Sequence, residues 1–216
     1  GPGVNNVGQY IEDTNCGVCG NNCAVADWPN STGKCEVKNL LPECVVDCDD
    51  GFFDVDKNPL NGCECQLMAG VDVPDGQDQN CDGVDGDLLN AIFVAKSGSD
   101  DNGGTIFGPV LSIQKGIDLA KAAGKRDVYV ATGVYTENIA LAPGVSVYGG
   151  YRGDFFHRDT TLYETAILGV APSQEKPGAV NAANIAGDIE TTILDGFLIF
   201  GFDNKQKGGS SYALWI

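Results

Sequence analysis

Nine cysteines fall between residues 16 and 81 of this chain, and none follows them. A segment so short buries too little apolar surface to fold unaided, so cross-links must do what a core cannot. Each disulfide restricts the unfolded chain and contributes roughly 2–4 kcal/mol. The only histidine, His157, lies far from the cysteines, which removes mixed Cys/His zinc sites. An all-cysteine zinc site is the lesser alternative to disulfides formed in an oxidising compartment. The disulfide candidates are Cys16, Cys19, Cys23, Cys35, Cys44, Cys48, Cys63, Cys65 and Cys81. Nine is odd, so one thiol is expected to stay free or to pair outside the chain.

Charge divides the chain at the same place. Residues 1–90 hold 17 Asp/Glu against three Lys/Arg, whereas the rest hold 13 acids and ten bases; the net charge is −17. Such a surface repels nucleic acid and anionic lipid and suits multivalent cations. No apolar run is long enough to span a bilayer, so neither nucleic acid nor membrane insertion is expected. Two domains are expected: residues 1–90, a Cys-rich acidic module of turns, and residues 91–216.

The second region reads differently. Ile92 to Val94 is a short strand, and Ser112 caps a helix that runs to about Ala123. Ile113, Ile117 and Ala120 repeat on one helix face, and Gly124 stands where a helix stops. Short β-rich runs follow at Val128–Val130, Ile139–Leu141, Val145–Tyr148, Ala166–Leu168, Ile193–Leu194, Phe197–Phe200 and Tyr212–Ile216. Their recurrence every ~20 residues suits a solenoid of stacked coils. The expected fold is therefore mainly β: a right-handed parallel β-helix with an N-terminal capping helix, preceded by a small, irregular, disulfide-rich module. The strand-like run at Ile216 implies a truncated, open end, through which self-association or another chain is expected.

Two resemblances bear on this. Ile92–Gly104, Ser112–Asp118, Val128–Asn138, Gly144–Tyr151 and Leu194–Phe197 resemble the pectin-lyase-like parallel β-helix domains of bacterial surface proteins. The resemblance is specific for fold and weak for activity. Cys16–Cys23, Gly51–Asp56, Asn61–Glu64 and Asp75–Asp85 resemble the Cys-rich repeats of myxobacterial-type surface proteins, ending in a loop similar to the metal-binding repeat of MopE-type proteins. That family has cysteines where this chain has Val55 and Pro74, and the resemblance offers Cys65 with Cys81 as a substitute pair. The copper of that family is not carried over, because copper wants imidazole, thioether or thiolate ligands and this chain has one His and one Met.

The motif that carries chemistry runs from Asp78 to Asp87 and matches Asp-x-Asn-x-Asp-Gly. Alternate residues of a tight loop turn oxygens inward, and glycine at the sixth place permits the turn. Asp78, Asn80 and Asp82 offer side-chain oxygens, Val84 its carbonyl, and Asp85 or Asp87 completes a shell for calcium, the expected cofactor. Leu89 stands where an EF-hand has its glutamate, so the loop is not of that kind. Asp54, Asp56 and Asn58, with Asn61 and Glu64 nearby and Pro59 in place of the turn glycine, form a second candidate. His157, the Arg152-Gly153-Asp154 tripeptide and the sequon at Asn30 are read as ordinary surface features.

The expected function is a secreted or cell-surface structural or adhesive scaffold, calcium-stabilised, on the outer surface of a bacterium, with a filament or matrix role. The alternative is a carbohydrate-binding or carbohydrate-cleaving protein with polysaccharide as partner. Asp154, Asp159, Asp188, Asp195, Arg152, Arg158 and Lys176 are its acid–base candidates, but no local pattern sets two carboxylates and a base on one face.

Overall fold

In the first ninety residues the longest regular element is a hairpin. β1 (Ser31–Lys38) and β2 (Leu41–Cys48) pair antiparallel over their whole length, with Lys38 opposite Leu41. Asn39 and Leu40 make the two-residue turn, both at positive φ (51° and 70°), as the right-handed twist of the flanking strands requires. Lys34 bridges Glu36 and Asp47, each at 3.2 Å, and Lys38 reaches Glu43 at 3.2 Å. Cys35 and Cys44 face each other across the hairpin, yet each is bonded to the preceding segment, in Cys16–Cys35 and Cys23–Cys44. A second antiparallel pair, β3 (Phe52–Phe53) with β4 (Cys65–Gln66), is flanked by Cys48–Cys63 and Cys65–Cys81.

The computed structural model describes residues 3–23, 28–58, 61–182 and 191–216. It divides into two units, Gly1–Asp72 with Asp78–Gly83, and Val73–Gln77 with Val84–Ile216.

In the second unit β5 (Ala91–Val94), helix α1 (Ile113–Ala123) and β6 (Asp127–Ala131) form a β-α-β passage in which β5 and β6 pair parallel. Eight further strands follow: β7 (Gly133–Thr136), β8 (Ile139–Ala140), β9 (Ser146–Tyr151), β10 (Thr165–Leu168), β11 (Gly178–Asn181), β12 (Leu194–Asp195), β13 (Leu198–Phe200) and β14 (Tyr212–Trp215). The chain visits three parallel sheets in rotation, ordered β12-β9-β6-β5, β13-β10-β7 and β14-β11-β8.

Alternation along the strands makes two cores. Ile92, Val94, Val128, Val130 and Val147 turn to one side and pack with Ile113, Ile117 and Ala120 of α1. Ala91, Phe93, Tyr129, Tyr148 and Tyr151 turn to the other and pack with Val84 and Phe155. Both faces of β5 and β6 are therefore buried, as is usual for parallel strands, and each large apolar side chain so buried contributes roughly 1.5–3 kcal/mol. Gly116 sits inside α1 at an intrinsic cost of about 1 kcal/mol; a Cβ there would press on Val94 and Val128, so its absence lets the helix lie close on the sheet.

Three groups anchor the start of α1. The Ser112 hydroxyl accepts from the Lys115 amide (3.4 Å). The Asp100 carboxylate accepts from the amides of Leu111 and Ser112 and from the Ser112 hydroxyl, each at 2.9 Å. Glu137, from the connection between β7 and β8, places its two carboxylate oxygens on the amides of Ile113 and Gln114 (2.9 and 3.0 Å). Gly124, at φ 65°, ends the helix and donates to the carbonyls of Ala120 and Lys121.

The expected fold class needs correction on three points. The described residues form no closed right-handed parallel β-helix: their parallel strands make three separate short sheets of four, three and three strands. Pairing is down to two residues at β12, and β13 and β14 are edge strands with Leu198, Phe200, Leu214 and Trp215 exposed. The expected N-terminal capping helix is instead the crossover between β5 and β6. The Cys-rich module is not irregular, because the hairpin gives it eight residues of continuous pairing on each strand.

Burial disfavours ionisation of Asp100, but the hydrogen bonds from Ser112 and Leu111 outweigh it and hold its pKa below the usual carboxylate value. A depressed folded-state pKa means stability that is present above the ordinary carboxylate range and lost as pH falls through the folded value. Asp100→Ala is expected to destabilise the second unit by ~1–2 kcal/mol at pH 7. Urea melts should show the difference from wild type shrinking below pH 4.

Candidate functional site

The first acidic loop lies between β3 and β4 and is closed by Cys48–Cys63. Asp54, Asp56 and Glu64 each bring a carboxylate oxygen to within 4.8 Å of the others, an arrangement that could hold a metal ion. The backbone builds this cluster. Glu64 accepts from the amides of Val55 and Asp56 (3.0 and 3.1 Å). Asp56 accepts from the Asn58 amide (2.8 Å) and the Asn61 side chain (3.1 Å). Oδ1 of Asp54 is buried and has no hydrogen-bond partner among the described residues. Burial raises the pKa of Asp54, and the charges of Glu64 and Asp56 push it the same way, against backbone amides of Lys57 and Asn58 that favour its ionised form. A buried carboxylate oxygen without a donor is unfavourable unless a proton or a cation reaches it. The donor set is all oxygen, which matches hard cations such as calcium and not copper. Asn58 reaches the loop through its main-chain amide, and Pro59 lies outside the described residues.

The second acidic loop divides between the two units. Asp78, Asn80 and Asp82 stay together in the first. Asp78 accepts from the amides of Asp82 (3.2 Å) and Gly83 (2.8 Å). Asn80 accepts from the Asp82 amide (2.8 Å) and donates to the Asp82 carboxylate (3.1 Å). Val84, Asp85 and Asp87 belong to the second unit. Val84 is fully buried in the aromatic core. The Asp85 carboxylate accepts from the amides of Asp75 and Gly76, each at 2.9 Å. Burial raises its pKa to about 6 against the pull of those amides and of Arg158. Asp87 accepts from the amides of Leu89 and Asn90 (3.0 and 3.1 Å) and so caps the 3-10 turn Leu88–Asn90.

Eight cysteines form four disulfides, and Cys19 is free and exposed. The sulfurs of Cys16, Cys23 and Cys44 lie close together because two bridges are neighbours; bonded in this way they are not thiolates and offer no zinc site. Four disulfides are the mark of an oxidising environment such as the extracellular space. No described helix is long and apolar enough to cross a membrane.

The acid–base candidates are scattered and engaged. Arg152 pairs with Asp154 (2.7 Å). Asp159 accepts from the amides of Thr161 and Leu162 and from the Thr161 hydroxyl. Lys176 donates to Gln114 (2.7 Å), and Asp188 lies outside the described residues. Arg158 is the exception in being brought to another candidate. Its side chain, 8% exposed, pairs with Asp195, donates to the carbonyls of Gly149 (3.0 Å) and Pro74 (2.7 Å), and lies over the rings of Tyr148 and Tyr151. Sequence reasoning left Glu64 beside its site rather than in it, although its position next to Cys63 was the available signal. It missed Thr160 and Glu164, which share a cavity with Arg158 and Asp195 and carry no local signature.

No protein-family model, curated protein or solved structure matches this chain.

Two outcomes are expected. Without reductant, a thiol reagent should modify one residue, Cys19, and mass spectrometry of the peptides will locate it. Arg158→Leu leaves the Gly149 and Pro74 carbonyls without their donor, while Asp195 is exposed and stays solvated, and should destabilise the second unit by about 1–3 kcal/mol, read as a lowered urea midpoint.

Proposed function

We propose that this chain is a secreted or cell-surface structural scaffold of a bacterium, in which calcium locks the disulfide-stapled first unit. The observation that carries the reading is the buried, unpartnered Oδ1 of Asp54 beside Asp56 and Glu64. Three carboxylates drawn together repel one another, and a divalent ion reverses that repulsion while giving the orphan oxygen its partner. Calcium takes six to eight oxygens at roughly 2.3–2.6 Å; Asp54, Asp56 and Glu64 would hold it, with water completing the shell. Asp78, Asn80 and Asp82 are the secondary site in this reading, since their oxygens already accept from the loop's own amides and side chains.

Several features favour a scaffold. Disulfides and an ion are both devices of rigidity. Among the described residues the basic and acidic candidates are tied to main chain, to each other or, for Lys176, to the Gln114 side chain. The exposed apolar side chains of edge strands β13 and β14 suit contact with another chain.

Calorimetric titration and thermal melts of chelator-treated protein test the proposal. At calcium a hundredfold above its dissociation constant the gain is about 2.7 kcal/mol, a rise of several degrees in the melting transition. The double variant Asp54→Asn with Glu64→Gln should melt higher than wild type in chelator, because the repulsion is gone, and should not respond to calcium. Absence of heat and of any thermal shift in the wild type would overturn the calcium reading.

A further inference from the structure

Lys176 has an unusual partner for a base of this chain. In a sequence with 30 acidic and 13 basic residues, its Nζ meets a neutral carboxamide, at 2.7 Å from Oε1 of Gln114. Among the described residues it forms no ion pair. Both partners are half-buried and stand on fixed backbone. Gln114 is the second residue of α1, in the turn held by Ser112, Asp100 and Glu137. The Ser173 amide donates to the Lys176 carbonyl (3.1 Å), and the Ser173 hydroxyl accepts from the Lys176 amide (3.0 Å). That tight turn sets the lysine just ahead of β11.

The other contacts of the carboxamide arrange it for attack. Oε1 also accepts from the Ala140 amide (2.8 Å), a fixed donor placed where negative charge collects when a nucleophile adds to Cδ. Nε2 donates to the Asp118 carboxylate (3.0 Å), one turn further along α1, and to the Ala140 carbonyl (3.4 Å). Lys176 thus supplies an amine, Gln114 a carbonyl carbon with a nitrogen to lose, and Asp118 a base beside that nitrogen. We infer that Lys176 and Gln114 become joined by an isopeptide bond, a covalent link between α1 and the segment before β11, 62 residues apart. Lys176 gives one proton to Asp118, and the freed Nζ lone pair forms a bond to Cδ of Gln114. Asp118 passes that proton to Nε2, the Cδ–Nε2 bond breaks, and ammonia leaves. A second Nζ proton departs through Asp118 to solvent, where ammonia takes it up as ammonium. One amide replaces another, so neither oxidant nor cofactor is consumed. Groups aligned in this way act at effective concentrations of roughly 10⁵–10⁸ M, and the bond has to form only once per molecule. The inference goes beyond the scaffold reading and is independent of calcium in the first unit.

The test is the intact mass of the whole protein, folded in chelator and then reduced and denatured. Wild type should weigh one ammonia molecule less than its sequence, and a protease digest should yield a branched peptide joining Gln114 to Lys176. Lys176→Arg keeps the charge and a donor for Gln114 but forms no such amide. It should keep the wild-type circular dichroism, show the full mass and melt at a lower temperature. Protein recovered denatured from inclusion bodies starts without the link, so refolding it gives the rate. Asp118→Asn should slow that rate at least a hundredfold, the lower end of what a positioned acid–base group supplies. The inference is overturned if wild type keeps its full mass on prolonged incubation, which would leave Lys176 and Gln114 with a hydrogen bond only. It is equally overturned if the loss of ammonia persists in Lys176→Arg, as an imide formed at an asparagine would give, or if Asp118→Asn links as fast as wild type.

Discussion

Covalent closure is what the first unit rests on. Its strands bury little: most positions of β1 and β2 are half-buried or exposed, and the hairpin alone would be marginal in water. Cys16–Cys35 and Cys23–Cys44 attach the preceding segment to facing residues of the hairpin, while Cys48–Cys63 and Cys65–Cys81 close the loops that carry the acids. Loops of 15 to 21 residues are in the range where a cross-link removes about 3 kcal/mol of unfolded-state entropy each. The acidic cluster depends on this closure, since Asp54, Asp56 and Glu64 would otherwise separate to relieve their repulsion.

The second unit uses burial instead. Parallel strands with both faces covered supply the two cores, and polar groups inside are matched. Tyr129 accepts from the Asp87 amide (2.8 Å) and donates to Asp127 (3.2 Å), which is paired in turn with Arg126. Tyr151 donates to the Asp85 carbonyl (2.6 Å). Burial pushes the pKa of both tyrosines above the ordinary phenol value, so their hydroxyls stay protonated and serve as fixed donors. The same economy explains Arg158, which gives two N–H groups to main-chain carbonyls and one to the Asp195 carboxylate.

Local signals were legible where chemistry is local. Ser112, the Ile113–Ile117–Ala120 stripe and Gly124 mark the helix, and the Val128–Val130 and Val145–Tyr148 runs fall on β6 and β9. The β1–β2 hairpin was not legible: its turn pairs Asn39 with a leucine instead of a glycine, and its charged faces lack apolar alternation. Recurring strands read as coils of a solenoid, but recurrence reports only that strands repeat, and closure depends on long-range pairing. The acidic loops show the same limit. Spacing brought Asp78 to Asp87 into one motif, yet amides at Asp75, Gly76, Leu89 and Asn90 take the oxygens of Asp85 and Asp87. Glu64 joins Asp54 and Asp56 from ten and eight residues away, across a distance that only the folded loop and its disulfide remove.

The Glu137 carboxylate on the first amides of α1 has a consequence for the order of assembly. An eleven-residue helix is too short to persist alone in water, and one of its anchors arrives 24 residues later in the chain. The helix is therefore completed only when the passage from β7 to β8 has come into place. A polypeptide emerging residue by residue holds α1 as an unsettled segment until its partner has been made. Folding of this region then depends on a contact between distant parts of the sequence, whose closure entropy must be met before the contact can stabilise the helix.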